Sequence, residues 1–185
     1  MILSGAEASN GVGLTVRAEA FARAAHGGQG QVRKYTGDPY AVHLEAVAAR
    51  VATVPASSEE MVAAAWLHDV LEDVPGVTPE QLEAQFGAAV RDLVVELTDV
   101  SRPEDGNRRV RKALDRDHLA QASAAGQTIK LADLLDNAVS ILAHDRAFST
   151  TFLREMAELV QVMPHGDPDL RQEALALLAQ RSRPA

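Results

Sequence analysis

The sequence contains no cysteine among its 185 residues. That excludes a disulfide framework, a thiolate metal site and a thiol nucleophile together. Aromatic residues are scarce, with one Trp, two Tyr and four Phe, too few for the stacking platforms that hold single-stranded nucleic acid. No apolar stretch reaches the length of a bilayer span. The opening MILSGAEASNGVGLTV lacks the basic region and apolar run of a secretory signal. A soluble, cytoplasmic protein is the expectation, with no membrane partner. Positive charge is also in deficit, since 18 Lys and Arg against 26 Asp and Glu give a formal net charge of −8. That balance disfavours DNA or RNA as a partner. It admits a small phosphorylated substrate, because a local basic patch or a cation can reverse the field inside one cleft.

Strand patterning is missing as well. No β-branched alternation of five residues survives inspection, and Val90 to Leu97, the nearest approach, fits helical spacing with Val90, Leu93, Val94 and Leu97 as a buried stripe. What is present is helix grammar. Thr15 is read as the cap of a first helix carrying Val16, Ala20, Phe21, Ala24 and Ala25, ended by the glycines after His26. A polar loop, QGQVRKYTGDPY, precedes a second helix from Tyr40 to about Val54. Ser57 and Glu60 form a capping box for a third helix running to Asp73, and Thr78, Pro79 and Gln81 open a fourth. A helix follows from Ala88 to about Val100. The basic run Arg108, Arg109, Arg111, Lys112 is read as the solvated face of another rather than as a binding patch. QTIKLADLLDNAVSILAHD and two closing helices, the last capped at Asp167-Pro168, complete the chain. The expectation is an all-α, single-domain bundle of about seven to nine helices over residues 15–182, after a disordered segment over 1–14.

Chemistry concentrates in AAAWLHDVLED, Ala63 to Asp73. His68 and Glu72 are four apart, as are Asp69 and Asp73, so each pair lines up along a helix. An imidazole and three carboxylates beside Trp66, Leu67, Val70 and Leu71 need partners or a metal if they are buried; the ordinary alternative is that Glu72 and Asp73 are solvated at a helix end. Asp133 and Asn137 form a second polar pair at i, i+4 in an apolar helix. With no thiolate, imidazole and carboxylate ligands point to Mn²⁺, Mg²⁺, Fe²⁺ or a catalytic Zn²⁺. His43, His68-Asp69 and Asp133 lie on three separate expected helices that could converge on one ion. Each also has a plain structural reading, such as Asp133 pairing with Lys130 or Arg146. Tyr40 and Trp66 are read as core aromatics.

In order, AAHGGQ, RKYTGDPYAVH, AAWLHDVLED, FGAAVRDLVVELTD and QTIKLADLLDN resemble the HD-domain phosphohydrolases of the RelA/SpoT type, and among them the small alarmone hydrolases like the metazoan SpoT homologue. The resemblance covers about Ala18 to Asp145. It implies an HD-type helical bundle, one Mn²⁺, and removal of pyrophosphate from the 3′ position of guanosine tetra- or pentaphosphate or a related adenine alarmone. By motif it implies His43, His68, Asp69 and Asp133 as metal ligands, and Glu72 and Asp73 as the pair that orients water and moves protons. It places Asn137, Lys34, Arg33 and Lys130 against the substrate and gives His26 a structural role. Leu44 and Tyr35 depart from the pattern, the second in a position to alter base recognition. Two other readings stay open: an HD hydrolase of another nucleotide or NADPH, and a nucleotide sensor without turnover. A homodimer is compatible with the helical surface, whose interface the sequence does not locate.

Overall fold

The computed structural model describes residues 13–181, and among these every extended element is helical. The only strand-like pairing there is one isolated antiparallel bridge, Val32 to Pro39. In order come α1 (Leu14–Gly28), α2 (Ala41–Ala52), α3 (Glu59–Leu67), the single turn α4 (Val70–Asp73), α5 (Pro79–Phe86), α6 (Ala88–Leu97), α7 (Arg108–Leu119), α8 (Ala124–His144), α9 (Arg146–Val162) and α10 (Pro168–Arg181), with a 3₁₀ turn at Pro103–Asp105. Apart from α4, these nine helices agree with the all-α expectation. The disordered segment expected over 1–14 falls largely outside the described residues.

Two helices organise the core. Met61, Ala63, Ala64, Ala65, Trp66 and Leu67 of α3 are all buried, the mark of an element apolar on every side, and α3 packs against α1, α2, α6 and α8. Its small alanines allow close approach, while Leu44, Val47 and Val51 of α2 and Val90, Val94 and Leu97 of α6 fill the space around it. The second is α8, which buries Ile129, Leu131, Leu134, Leu135 and Ala138 and packs against α2, α6, α9 and α10. The loop before α10 is stitched to it: buried Gln127 accepts from the His165 N–H at 2.8 Å, and the Thr128 hydroxyl accepts from Asp167 at 2.9 Å.

Several helix starts differ from the sequence expectation. Gly13, not Thr15, precedes α1 and supplies no side-chain cap. The buried face of α1 is Ala18, Ala22 and His26, with Val16 56% exposed; the helix is turned so that His26 Nδ1 meets Gln31 Oε1 at 2.6 Å. For α3 the cap is Ser58, whose side chain accepts from Met61. The Thr78–Gln81 capping box forms as expected. Gly126 lies inside α8, which Ser123 caps. A Cβ at Gly126 would strike the Glu96 carboxylate, which holds the Ser123 N–H and hydroxyl at 3.0 and 2.7 Å. Asp145 and Asp167 cap α9 and α10 through Phe148 and Leu170.

The expected single helix from Ser57 to Asp73 is broken at His68-Asp69. Asp69 adopts φ −100° and ψ −1°, the bridge region common at active sites, and α4 resumes with the Asp73 N–H bonded to the Asp69 carbonyl at 2.9 Å.

Candidate metal centre

Neighbours on an unbroken helix diverge by about 100°. The break after Leu67 instead brings His68 Nε2 and Asp69 Oδ2 to 3.1 Å. From α2, His43 Nε2 comes to 3.8 Å from Asp69 Oδ2 and 3.3 Å from Asp133 Oδ1 of α8, which is itself 3.8 Å from His68 Nε2. The His43 and His68 rings pack edge to face at 5.2 Å. Four residues from three parts of the chain thus meet at one point, and His43, His68 and Asp69 form a cluster able to hold a divalent metal. Octahedral or tetrahedral ligands about 2.1 Å from an ion lie about 3.0 to 3.4 Å apart, the range of the His68–Asp69 and His43–Asp133 distances, while the two at 3.8 Å lie outside it.

The proton inventory suits an ion. His68 Nδ1 donates to the Ala65 carbonyl at 2.8 Å, and His43 Nδ1 donates to Asp136 Oδ2 at 2.6 Å. Both rings therefore direct Nε2 inward. Both Nε2 atoms are buried without a hydrogen-bond partner, a cost that a metal would remove. The local field draws positive charge. Burial opposes charging His43, but Asp133, Asp136 and Asp69 outweigh it and raise the ring to about 9. His68 is raised as well, against burial, chiefly by Asp69. Burial resists ionising Asp69 and Asp133, yet the imidazoles, with Lys130 beside Asp133, hold both carboxyls below their usual range.

Neighbouring groups fix these side chains. Tyr40 Oη donates to Asp69 Oδ2 at 2.6 Å, so this tyrosine joins the site and is not only the core aromatic expected. Asn137 Nδ2 donates to Asp133 Oδ1 at 2.6 Å, and Lys130 Nζ lies 2.9 Å from Asp133 Oδ2. The expected pairing of Asp133 with Lys130 and its place among the imidazoles thus hold together. Glu72 Oε1 accepts from the Asp99 N–H at 2.8 Å. Partial burial, reinforced by Asp99, pushes the Glu72 carboxyl up to about 7.

Asp69 and Asp133 line a cleft of about 360 Å³, from which the buried His43 and His68 are set back. Tyr40, Glu72, Lys130 and Asn137 line it near the cluster; Arg108, Lys112 and Arg116 of α7 form a basic wall, over a floor that includes Leu134, Ile141, Phe148 and Phe152. Part of the basic run thus lines the cleft while remaining exposed, with Arg108 half open to solvent. These cations are steadied by Glu155, Asp99 and Glu158, at 2.7, 2.7 and 2.8 Å. Asp73 does not line the cleft; its carboxylate accepts from Gln31 at 2.8 Å. Arg33 and Lys34 line an adjoining hollow that shares Tyr40, Asn137, Ile141 and Phe148 with the cleft. Lys34 is open to solvent over the Tyr35 ring, whereas Arg33 turns to Asp136 at 3.0 Å.

A break that sets histidine beside aspartate, with a second histidine and a late aspartate brought in by other helices, defines a class of protein. Residues 18–161 match the HD domain family, and the chain belongs to it, among the HD-domain phosphohydrolases of the RelA/SpoT type. It is 33% identical over 146 residues to a probable chloroplastic GTP diphosphokinase of Arabidopsis thaliana, a match over 76% of this chain and 20% of that one. To a guanosine-3′,5′-bis(diphosphate) 3′-pyrophosphohydrolase of Haemophilus influenzae it is 48% identical over 74 residues, 40% of this chain and 10% of that one. The chain thus spans a fifth or less of the length of these curated relatives. A solved structure of a metazoan SpoT orthologue that hydrolyses ppGpp superposes with a TM-score of 0.81 at 26% identity, over 92% of this chain and 97% of that one. Among the described residues no helix is long and apolar enough to cross a membrane.

Proposed function

We propose that this protein is a metal-dependent hydrolase that removes pyrophosphate from the 3′ position of guanosine tetra- or pentaphosphate, or of an adenine counterpart. The observation that carries the reading is the approach of His43 and His68 to Asp69 and Asp133, the two carboxylates that line a cleft also lined by Lys130, Arg108, Lys112 and Arg116. The names of the Haemophilus influenzae and metazoan relatives support the choice of substrate. A divalent ion held by those four residues, Mn²⁺ in our reading, would supply a Lewis acid and a water of lowered pKa.

The remaining roles belong to the chain. Glu72, with Oε1 fixed by the Asp99 N–H, uses Oε2 to take a proton from the attacking water. Its raised carboxyl places that transfer near neutral pH. Lys130 and the α7 cations offset charge developing on the phosphoryl oxygens, and Asn137 holds Asp133 in place while facing the cleft. Asp73 acts from behind, tying Gln31 and its loop to the end of α4.

The test is turnover of guanosine tetraphosphate by the full chain with Mn²⁺, followed by ³¹P NMR and anion-exchange chromatography. Equimolar GDP and pyrophosphate, abolished by chelation, are expected. Orthophosphate released from the 5′ end would overturn the regiochemistry. Turnover confined to NADPH or another nucleotide would replace the substrate, and tight binding without turnover by the metal-loaded protein would make the chain a sensor.

A further inference from the structure

His43 is contacted at both ring nitrogens by consecutive turns of one helix. Asp133 faces Nε2 at 3.3 Å, and Asp136, three residues on, accepts the Nδ1 proton at 2.6 Å. An i, i+3 pair lies on one side of a helix, so α8 supplies both the carboxylate on the metal side of the ring and the one behind it. The same Asp136 oxygen is 3.0 Å from Arg33 Nη1, and the Asp136 and Arg33 side chains are 22% and 13% exposed. His68 differs, because its Nδ1 proton goes to the neutral Ala65 carbonyl of its own helix. One imidazole is thus held by a backbone dipole and the other by a charge.

We infer that Asp136 is a positioning residue for the metal centre: it fixes the tautomer and ring direction of His43 and strengthens it as a ligand, with Arg33 holding Asp136 in place. A carboxylate behind a ligating imidazole does both. Arg33, which lines the adjoining hollow, thereby also acts through Asp136 and His43, and it joins the 29–40 loop to the metal centre. The inference rests on reading His43 as a ligand, though not on any particular substrate.

Two measurements on the full chain test it without turnover. In Mn²⁺ titrations followed by EPR, Asp136→Ala is expected to weaken binding about 10- to 100-fold, the usual cost of losing such a partner. Asp136→Asn keeps an oxygen for the Nδ1 proton but not the charge, and should weaken binding by at least about 3-fold. In metal-free protein labelled with ¹⁵N-histidine, the downfield Nδ1 proton of His43 should vanish in Asp136→Ala while that of His68 persists, a selectivity that general loosening would not give. If Asp136→Ala fails to fold, Asp136→Asn decides. Mn²⁺ affinity within about 2-fold of the parent in every folded variant, or an unmoved His43 resonance, overturns the inference. A parent chain that binds no Mn²⁺ would instead remove the metal reading itself, a separate outcome.

Discussion

Replacing Asp133 by alanine separates the two jobs of one carboxylate. Its Oδ2 is 2.9 Å from Lys130 Nζ, and the two side chains are only 7% and 17% exposed. Removing one partner of a buried pair costs about 3–5 kcal/mol. Part of this returns, since Asp69 loses a like-charged neighbour that opposes its ionisation. The metal-free variant should therefore lose less than the full cost of about 3–5 kcal/mol, which at about 2–4 °C per kcal/mol for a chain of this size lowers Tm by at most about 6–20 °C. The metal increment behaves differently. An ion at about 1,000 times its Kd adds about 4.1 kcal/mol, or about 8–16 °C, to the parent. Losing a direct ligand weakens binding at least about 100-fold, the upper end of the range for outer partners, and cuts the increment to about 1.4 kcal/mol, or about 3–6 °C. Calorimetry of both proteins, with chelator and with a fixed Mn²⁺ concentration, measures the two quantities. An undiminished metal increment in the variant would refute the assignment of Asp133 as a ligand, whatever its metal-free stability.

Glu72→Gln retains an oxygen for the Asp99 N–H but removes the proton acceptor, so kcat should fall about 10²- to 10⁴-fold with the metal increment intact; loss of that increment would make Glu72 a ligand. Its pH dependence follows from burial and Asp99, with Asp69 adding to the rise and Lys130 opposing it, which together lift the carboxyl from 4.5 to about 7. The folded state binds this proton more tightly, so the contribution is full below about 4.5 and is lost as pH rises through about 7. In metal-free protein the glutamine variant should therefore gain on the parent as pH rises from about 4.5 to about 7 and keep that gain above it, and a pH-independent difference in Tm would contradict the perturbed carboxyl. Gly166→Ala places a Cβ 2.6 Å from Leu131 Cδ1 and 3.2 Å from the Gln127 carbonyl carbon; overpacking should cost about 1–3 kcal/mol, and an unchanged denaturation midpoint would show that the loop before α10 yields freely.

The fold was legible where local chemistry decides it. The Thr78, Pro79, Gln81 box and the Val90, Val94, Leu97 stripe form as their spacing requires, because a cap or a stripe is set within one or two turns. Helix faces were less legible where alanine is abundant. In α1, alanines at 18, 20, 22, 24 and 25 leave the buried side almost undetermined by hydrophobicity, and Phe21 packing edge to face with Phe86 together with His26 meeting Gln31 settles it. Gly126 is a helical residue whose missing Cβ makes room for Glu96. That reason lies 30 residues away in sequence.

The site shows the same division between patterns carried by one helix and meetings of several. Histidine next to aspartate signalled a shared ligand point, but an ideal helix would have splayed the two; the bridge-region turn at Asp69 that converges them has no signature in propensity. Arg108, Lys112 and Arg116 did carry a signal, since spacing of four puts them on one stripe. Reading 108–112 as a block of charge hid it, and the short length of apolar face on α7, which buries only Asp115 and Leu119, made solvent the default neighbour. Asp136 was concealed differently: an aspartate in LLDN offers no hint of what lies opposite until α2 is laid beside α8. Asp136, Arg108 and Arg116 each face a partner across a helix–helix boundary. An amphipathic stripe tells which side of a helix turns inward, but the imidazole it meets depends on how the two helices slide along one another. In this bundle α2 packs against both α3 and α8, so core substitutions that shift α2 along α8 should weaken metal binding without touching a ligand.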